Sequence, residues 1–471
     1  MAATQIDLLN IDSGLVVAPA GCGKTQLIVD AIAGHTDSRP ILILTHTNAG
    51  VAALRSRMRA AGVKSSSFRL ATIDGWAIKL LSTFPERSAV TAEILNTRPD
   101  YLKIRELTLT LLKSGHIDDV VVSSYSRILV DEYQDCSIRQ HAIVYFASKL
   151  IPTCVLGDNM QAIFGFGNDP LASWDDHVQK NFPIVGELNR PWRWINADTE
   201  ELGEWLLGVR RALARDEQID IREAPEQLTW IQLDGTQGDH EKRLRAASVR
   251  PSQRSGCTLI IGESTSPNSQ RRFASQIPGA VTVEAVDLRD LVTFARTLDL
   301  SGSDLVEKII TFAKSLMTNV GAAHFLQRLN SLKSGRARNG PNENEAAALT
   351  LIESPTYANL ADLLVTLNKS SEVRVYRPAV LRSCLQALQK CDSDCSLSFY
   401  DAAVQAREEN RVIGRTLPRK AVGSTLLLKG LEADIVVILD ADMLNARNLY
   451  VALTRGCKQV FVCSRSPLLG I

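Results

Sequence analysis

Ala18-Pro19-Ala20-Gly21-Cys22-Gly23-Lys24-Thr25 follows the apolar run Leu15 to Ala18 and precedes a helical pattern beginning at Gln26. This order predicts a strand, a phosphate-binding loop and a helix. Gly21 and Gly23 let successive backbone N–H groups turn inward around a triphosphate without Cβ clashes. Lys24 supplies a point charge and Thr25 a hydroxyl for Mg²⁺. The usual pattern opens with glycine where this chain has Ala18, so the loop alone is also compatible with a simple glycine turn. Cys22 lies at the helix N-terminus, where the macrodipole and Lys24 would both lower a thiol pKa. Replacement of another small residue is the plainer reading of Cys22.

A second stretch decides between these readings. Ile128-Leu129-Val130-Asp131-Glu132-Tyr133-Gln134-Asp135 is a short apolar strand ending in carboxylates, where a second parallel strand would reach the phosphates. Asp131 suits a Mg²⁺ ligand and Glu132 a group that polarises the attacking water. An acidic strand end is unremarkable by itself. The loop and the acidic strand together predict a nucleoside triphosphatase.

The chain has 471 residues, 45% of them hydrophobic and 22% charged, with a formal net charge of +1. That length predicts about three domains, and the composition is ordinary for a globular protein. Bulk charge neither proposes nor excludes a nucleic-acid partner, because a basic groove can be balanced elsewhere. No basic segment followed by an apolar one opens the chain, and runs such as Ile435 to Leu439 are far shorter than the ~18 residues of a membrane span. Those features predict a cytoplasmic protein with no membrane partner. Nine cysteines without a CxxC pair fit reduced thiols. The spacing of Cys384, Cys391 and Cys395 is uneven and lacks a fourth ligand, so no structural metal is assigned.

Upstream of the loop, the side-chain amide of Gln5 is suited to reading both edges of adenine. Downstream, Ile41 to Leu44 makes another buried strand running into Thr45-His46-Thr47-Asn48, followed by a helix bearing Arg55, Arg57 and Arg59. Next comes Ala71-Thr72-Ile73-Asp74-Gly75-Trp76, a polar turn with a large aromatic that opens another helix.

In this order, Gln5, the loop at 18–25, Thr45-His46-Thr47-Asn48, Thr72-Ile73-Asp74-Gly75 and Asp131-Glu132-Tyr133-Gln134-Asp135 resemble the motor of UvrD/Rep-like superfamily 1A DNA helicases. Val155-Leu156-Gly157-Asp158-Asn159-Met160-Gln161, Pro191-Trp192-Arg193, Lys429-Gly430-Leu431-Glu432 and Tyr450-Val451-Ala452-Leu453-Thr454-Arg455 extend the resemblance. It implies an α/β fold of two RecA-like P-loop domains with parallel sheets, each carrying a reduced, mostly helical accessory insertion, with ATP between the two domains. The alternation of apolar strand runs with helical periods supports that architecture independently. The implied domains are 1–76 and 123–185 (first RecA-like domain), 77–122 (small accessory domain), 186–300 and 421–471 (second RecA-like domain) and 301–420 (reduced accessory domain).

The resemblance further implies roles. Gln5 would read adenine, Trp192 stack on it and Glu432 approach the ribose; Gln26 stands where an arginine often lies beneath the base. Lys24 and the loop amides of Ala20, Gly21, Cys22 and Gly23 would hold phosphates, and Thr25 with Asp131 would hold Mg²⁺. Glu132 would position water, Gln161 would sense the terminal phosphate, and Arg193 and Arg455, carried on the second domain, would neutralise charge as it leaves. Single-stranded or tailed DNA is the implied partner, with Thr45, His46, Asn48, Trp76 and Phe166 as candidate contacts. His46, Ala49, Gly167 and Leu426 depart from the family pattern on the DNA side. This favours a rival reading, an ATP-controlled regulatory subunit or DNA-sensing switch for a partner nuclease, similar to the helicase-like subunit of Gabija-type phage-defence systems. A small-molecule kinase would explain the loop but not Gln161, Arg193 or Arg455.

Overall fold

A computed structural model describes residues 6–95, 99–165, 169–253, 255–263, 265–285, 287–394, 396–412 and 418–470. Gln5 and Phe166 lie outside the described residues. The chain is α/β, with two six-stranded sheets flanked by helices, the RecA-like arrangement expected from the sequence. It divides into two compact units: Met1–Trp230 with Ala441–Val460 and Ser466–Ile471, and Ile231–Asp440 with Phe461–Arg465.

The first sheet is made of β1 (Ser13–Val17), β2 (Ile41–Thr45), β3 (Phe68–Thr72), β4 (Arg127–Val130), β5 (Thr153–Gly157) and β6 (Ile184–Glu187). Their spatial order is β3-β2-β4-β5-β1-β6, and every pairing is parallel. The central strands are continuous apolar runs because helices cover both faces. Leu15, Val17, Leu42, Leu44, Ile128, Val130 and Val155 enter one core, and Val16, Ile41, Ile43, Leu129, Cys154 and Leu156 the other, as the two-residue period of a strand requires.

The α-helices of this unit follow in order: α1 (Lys24–Ala33), α2 (Asn48–Ala60), α3 (Ile73–Thr83), α4 (Pro85–Ser88), α5 (Tyr101–Lys113), α6 (Asp118–Ser124), α7 (Ile138–Ala147), α8 (Trp192–Ile195), α9 (Glu200–Leu213) and α10 (Ala446–Leu453). Thr47 and Thr72 cap α2 and α3 by accepting from the N–H groups of Gly50 and Gly75, and Ser137 with Gln140 closes a capping box on α7. Within the span 77–122, Leu80, Leu81, Ile104, Leu111 and Leu112 enter the same core as Leu15 and Leu42, so its helices cover a face of the sheet. Arg105 on α5 pins this cover: it donates to both carboxylate oxygens of Asp74 at 2.7 Å and to Asp169 at 2.9 Å.

Residues 186–230 and 441–460, expected in the second domain, group with the first unit. They are joined to the loop at 18–25 and to each other: the Arg193 N–H donates to the Gly21 carbonyl and the Ala20 N–H to the Tyr450 hydroxyl. The indole of Trp194 donates to the Gly456 carbonyl at 3.0 Å, and the Thr199 hydroxyl donates to the Cys457 carbonyl at 2.6 Å.

The second sheet has the order Val281–Thr282, Lys420–Gly423, Thr258–Ile261, Ala433–Ile438, Gly456–Ser464, Leu228–Gln232, and its first four strands lie wholly within the second unit. The first four of these strands pair in parallel. Between its strands the chain makes a helical body with one apolar core that includes Leu291, Ile309, Leu363 and Leu388. The guanidinium of Arg377, buried at 2% exposure, ties that body to the strand end by bonding Glu284 and Asp290. The polar loop that carries Arg336 and Arg338 joins two of these helices, and both arginines are exposed.

Candidate functional site

The site grows from the carboxyl ends of β1, β4 and β5, which are neighbours in the sheet. After β1 the chain turns through Gly21 (φ 72°) and Gly23 (φ 88°), left-handed conformations that glycine adopts without strain. Space is as restrictive as conformation. A Cβ on Gly21 would stand 2.5 Å from the Trp194 ring, and one on Gly23 3.0 Å from the Trp192 ring. Gly23 begins α1 without a side-chain cap, so the helix offers its first N–H groups and the positive end of its dipole to the loop.

Lys24 and the carboxylates after β4 meet here. The Lys24 ammonium lies 3.0 Å from Asp131 Oδ1 and also donates to Glu132 Oε1. Burial alone would lower the lysine pKa, but Asp131 and Glu132 outweigh it and hold the group above its ordinary value. Burial, with Glu132 adjacent, pushes the Asp131 carboxyl up against the pull of Lys24. Glu132 sits at φ 54°, an uncommon conformation for a non-glycine residue, and its side chain is 34% exposed. Its second oxygen accepts from Gln134 Nε2 at 2.5 Å, while Gln134 Oε1 accepts from the Asp158 N–H at 3.1 Å. Gln134 therefore bridges the ends of β4 and β5. The sequence offered no local signal for this role.

Beyond β5, the fully buried Asp158 accepts from the Gln161 side chain at 3.1 Å and from Arg210 Nε at 2.9 Å. The Arg193 N–H donates to the Gly21 carbonyl at 3.0 Å, and its guanidinium donates to the Thr454 carbonyl at 2.6 Å. Trp192, 41% exposed, lies beside Gly23 with the Arg190 guanidinium 3.9 Å from its ring centroid. Arg455 is buried at 2% exposure and donates to the Val451 carbonyl and the Thr454 hydroxyl. Both arginines expected from the second domain thus belong to the unit that carries the loop.

Two loop amides and the loop thiol depart from expectation. The Ala20 N–H donates to the buried hydroxyl of Tyr450 at 3.1 Å, and the Cys22 N–H to the Pro19 carbonyl at 3.2 Å, so both amides are engaged within the protein. The Cys22 thiol is buried, and burial, reinforced by Asp158, pushes its pKa up to about 12, opposite to the lowering expected from the helix N-terminus and Lys24. Gln26 is exposed and bonds Asp30 along α1. Glu432 belongs to the second unit, where its carbonyl accepts from the Cys257 thiol at 3.6 Å.

Two of the candidate DNA contacts are interior. Trp76 is 1% exposed in the sheet core and Thr45 is 1% exposed at the end of β2, so neither side chain can meet a strand. Their positions, a helix start and a strand end, carry no signal of burial. His46 is half-buried with its ring 5.7 Å from that of Phe164, and Asn48 is exposed at the start of α2. Among the described residues, no helix is long and apolar enough to cross a membrane.

The site's N-terminal half has relatives by sequence model. Residues 9–110 and 91–169 match the UvrD/REP helicase N-terminal domain. No curated protein matches the chain. Among solved structures, an arterivirus nonstructural protein 10 helicase in complex with DNA matches at 8% identity and a TM-score of 0.35. The match covers 96% of this chain and 60% of the viral one. The segment that builds β1 to β5 and holds Lys24, Asp131, Glu132 and Gln161 is therefore similar to the UvrD/REP helicase N-terminal domain.

Proposed function

We propose that this chain is an ATP-driven, UvrD/Rep-type motor on single-stranded or tailed DNA. The observation that carries the reading is the Lys24 ammonium held between Asp131 and Glu132 at the open ends of parallel strands, the place where α/β sheets bind ligands. Lys24 with the amides of Gly21 and Gly23 binds the phosphates. Trp192 offers its exposed face to the base. Thr25 and Asp131 are hard oxygen donors that fit Mg²⁺, and they would hold it; the bound ion supplies neutralisation of phosphate charge. Glu132 takes the proton of the attacking water as the bond to the terminal phosphorus forms and the bond to the ADP oxygen breaks. Gln161 senses the terminal phosphate and orients that water against it, and Arg193 and Arg455 stabilise the charge on the departing phosphate.

The proposed organisation keeps two RecA-like domains, one on each six-stranded sheet, and accessory insertions at 77–122 and 301–420. Gln5 and Glu432 on the nucleotide, and His46, Asn48 and Phe166 on the strand, belong to this proposal. A second reading, an ATP-controlled regulatory subunit of a partner nuclease, is favoured by the interior placement of Thr45 and Trp76, which leaves fewer groups to grip a strand. Strand displacement on a 3′-tailed duplex, with Lys24→Ala as control, separates the two. Displacement that requires ATP and Lys24 supports the motor; ATP turnover without any displacement or strand dependence supports the switch.

A further inference from the structure

Arg210 was not singled out by the sequence, yet its guanidinium occupies the inner side of the site. Three donors converge on the fully buried Asp158 carboxylate. The Met160 N–H and Arg210 Nε reach Oδ1 at 3.2 and 2.9 Å, and Gln161 Nε2 reaches Oδ2 at 3.1 Å. Arg210 comes from the last turn of α9 and is held at its other end by Glu187, with NH1 3.1 Å from Oε1. The two carboxylates fix the plane of the guanidinium, which a fork of five N–H groups permits and a lysine ammonium does not. Asp158 and Arg210 lie within electrostatic reach of Cys22 and of Tyr450, whose hydroxyl accepts from the Ala20 N–H in the loop.

From this geometry we propose that Arg210 is a positioning residue for Gln161, acting through Asp158; the inference rests on the ATP-hydrolysing function proposed above. A buried carboxylate stripped of its cation must rotate or admit water to recover compensation. Either response displaces Oδ2, the atom that receives the Gln161 amide. The amide's orientation decides whether Gln161 presents its carbonyl oxygen or its NH₂ to the reacting water. Arg210 bonds Asp158 and Glu187 and so holds the acceptor that holds Gln161.

The test is a double-variant cycle on the full chain, using Gln161→Ala, Arg210→Lys and their combination, with ATP turnover, nucleotide affinity and melting temperature read for each. Arg210→Lys keeps the charge and loses the fork. It should lower kcat on the order of tenfold, the size of coupling between neighbours in one hydrogen-bond network, with nucleotide affinity unchanged. The combined variant should be no slower than Gln161→Ala alone. Arg210→Gln, which keeps a donor without the charge, is carried through the same cycle so that misfolding of one variant does not decide the matter. Effects that multiply in the combined variant, or an unchanged kcat in folded Arg210→Lys and Arg210→Gln, overturn the proposal while the hydrolytic function stands. A parent chain that turns over no ATP overturns both.

Discussion

Replacing Glu132 with glutamine separates chemistry from binding at this site. The substitution is nearly isosteric and leaves the left-handed backbone at residue 132 as it is. It removes one negative charge and replaces one acceptor oxygen by an NH₂ group. Glu132 now accepts from Lys24 with one oxygen and from Gln134 with the other. A glutamine can keep only one of these bonds, because its NH₂ would face a donor on the remaining side. Gln134 cannot easily turn its amide to compensate, since its own oxygen accepts from the Asp158 N–H. A lost charge-assisted bond costs about 1.5–3 kcal/mol when buried. With the side chain 34% exposed, solvent screening reduces that to about 1 kcal/mol. For a unit of this size the melting temperature should then fall by about 2–4 °C. Hydrolysis should fall far more, by about 10²–10⁴-fold, the usual contribution of a positioned general base. Nucleotide affinity should be retained, because Lys24 and the loop amides are untouched. Phosphate release, titration with a fluorescent nucleotide and a thermal melt measure the three quantities on one preparation. Hydrolysis within a few-fold of the parent, with binding intact, would refute the role given to Glu132.

Three other outcomes follow from the packing. Cys22, with its thiol pushed up to about 12, should resist alkylation in the native protein at neutral pH to the same degree with and without nucleotide; rapid labelling that nucleotide blocks would show the thiol to be open and reactive. Trp76→Ala should destabilise the protein by about 3–5 kcal/mol through lost core packing, while the folded fraction keeps its response to single-stranded DNA; loss of that response at full stability would put Trp76 back on the strand. His141 is held neutral, its pKa lowered to about 4 by burial and by His177. A depressed histidine contributes stability that is fully present above about pH 6.5 and is lost as pH falls toward 4, so His141→Gln should flatten the melting-temperature profile across that window, and an unchanged slope would contradict the assignment.

Much of the fold was legible in the sequence because its signals are local. A continuous apolar run such as Ile41–Leu44 can only be a strand covered on both faces, and the two glycines ahead of Lys24 announce a turn that admits no side chain. Asp131 and Glu132 were legible for the same reason, as carboxylates at the end of an apolar strand. Other features depend on contacts between distant positions. Tyr450 reaches Ala20 across 430 residues and Arg210 reaches Asp158 across 52, and neither partner marks the other in the chain. Trp76 and Thr45 were read as contacts because a polar turn flanks one and a strand end presents the other. Trp76 is buried in the core that α5 helps to complete after an intervening loop. The grouping of 186–230 and 441–460 with the first unit likewise rests on tertiary bonds, from Arg193 to Gly21 and from Ala20 to Tyr450, that no periodicity announces.

The most direct test of the motor is the rate of ATP turnover by the whole chain as single-stranded DNA is added. The account predicts Mg²⁺-dependent hydrolysis that rises with strand concentration, saturates, and loses its stimulation as salt is raised, because the contacts are largely to phosphates. Hydrolysis that is indifferent to every single strand supplied, at low and high salt alike, would contradict it.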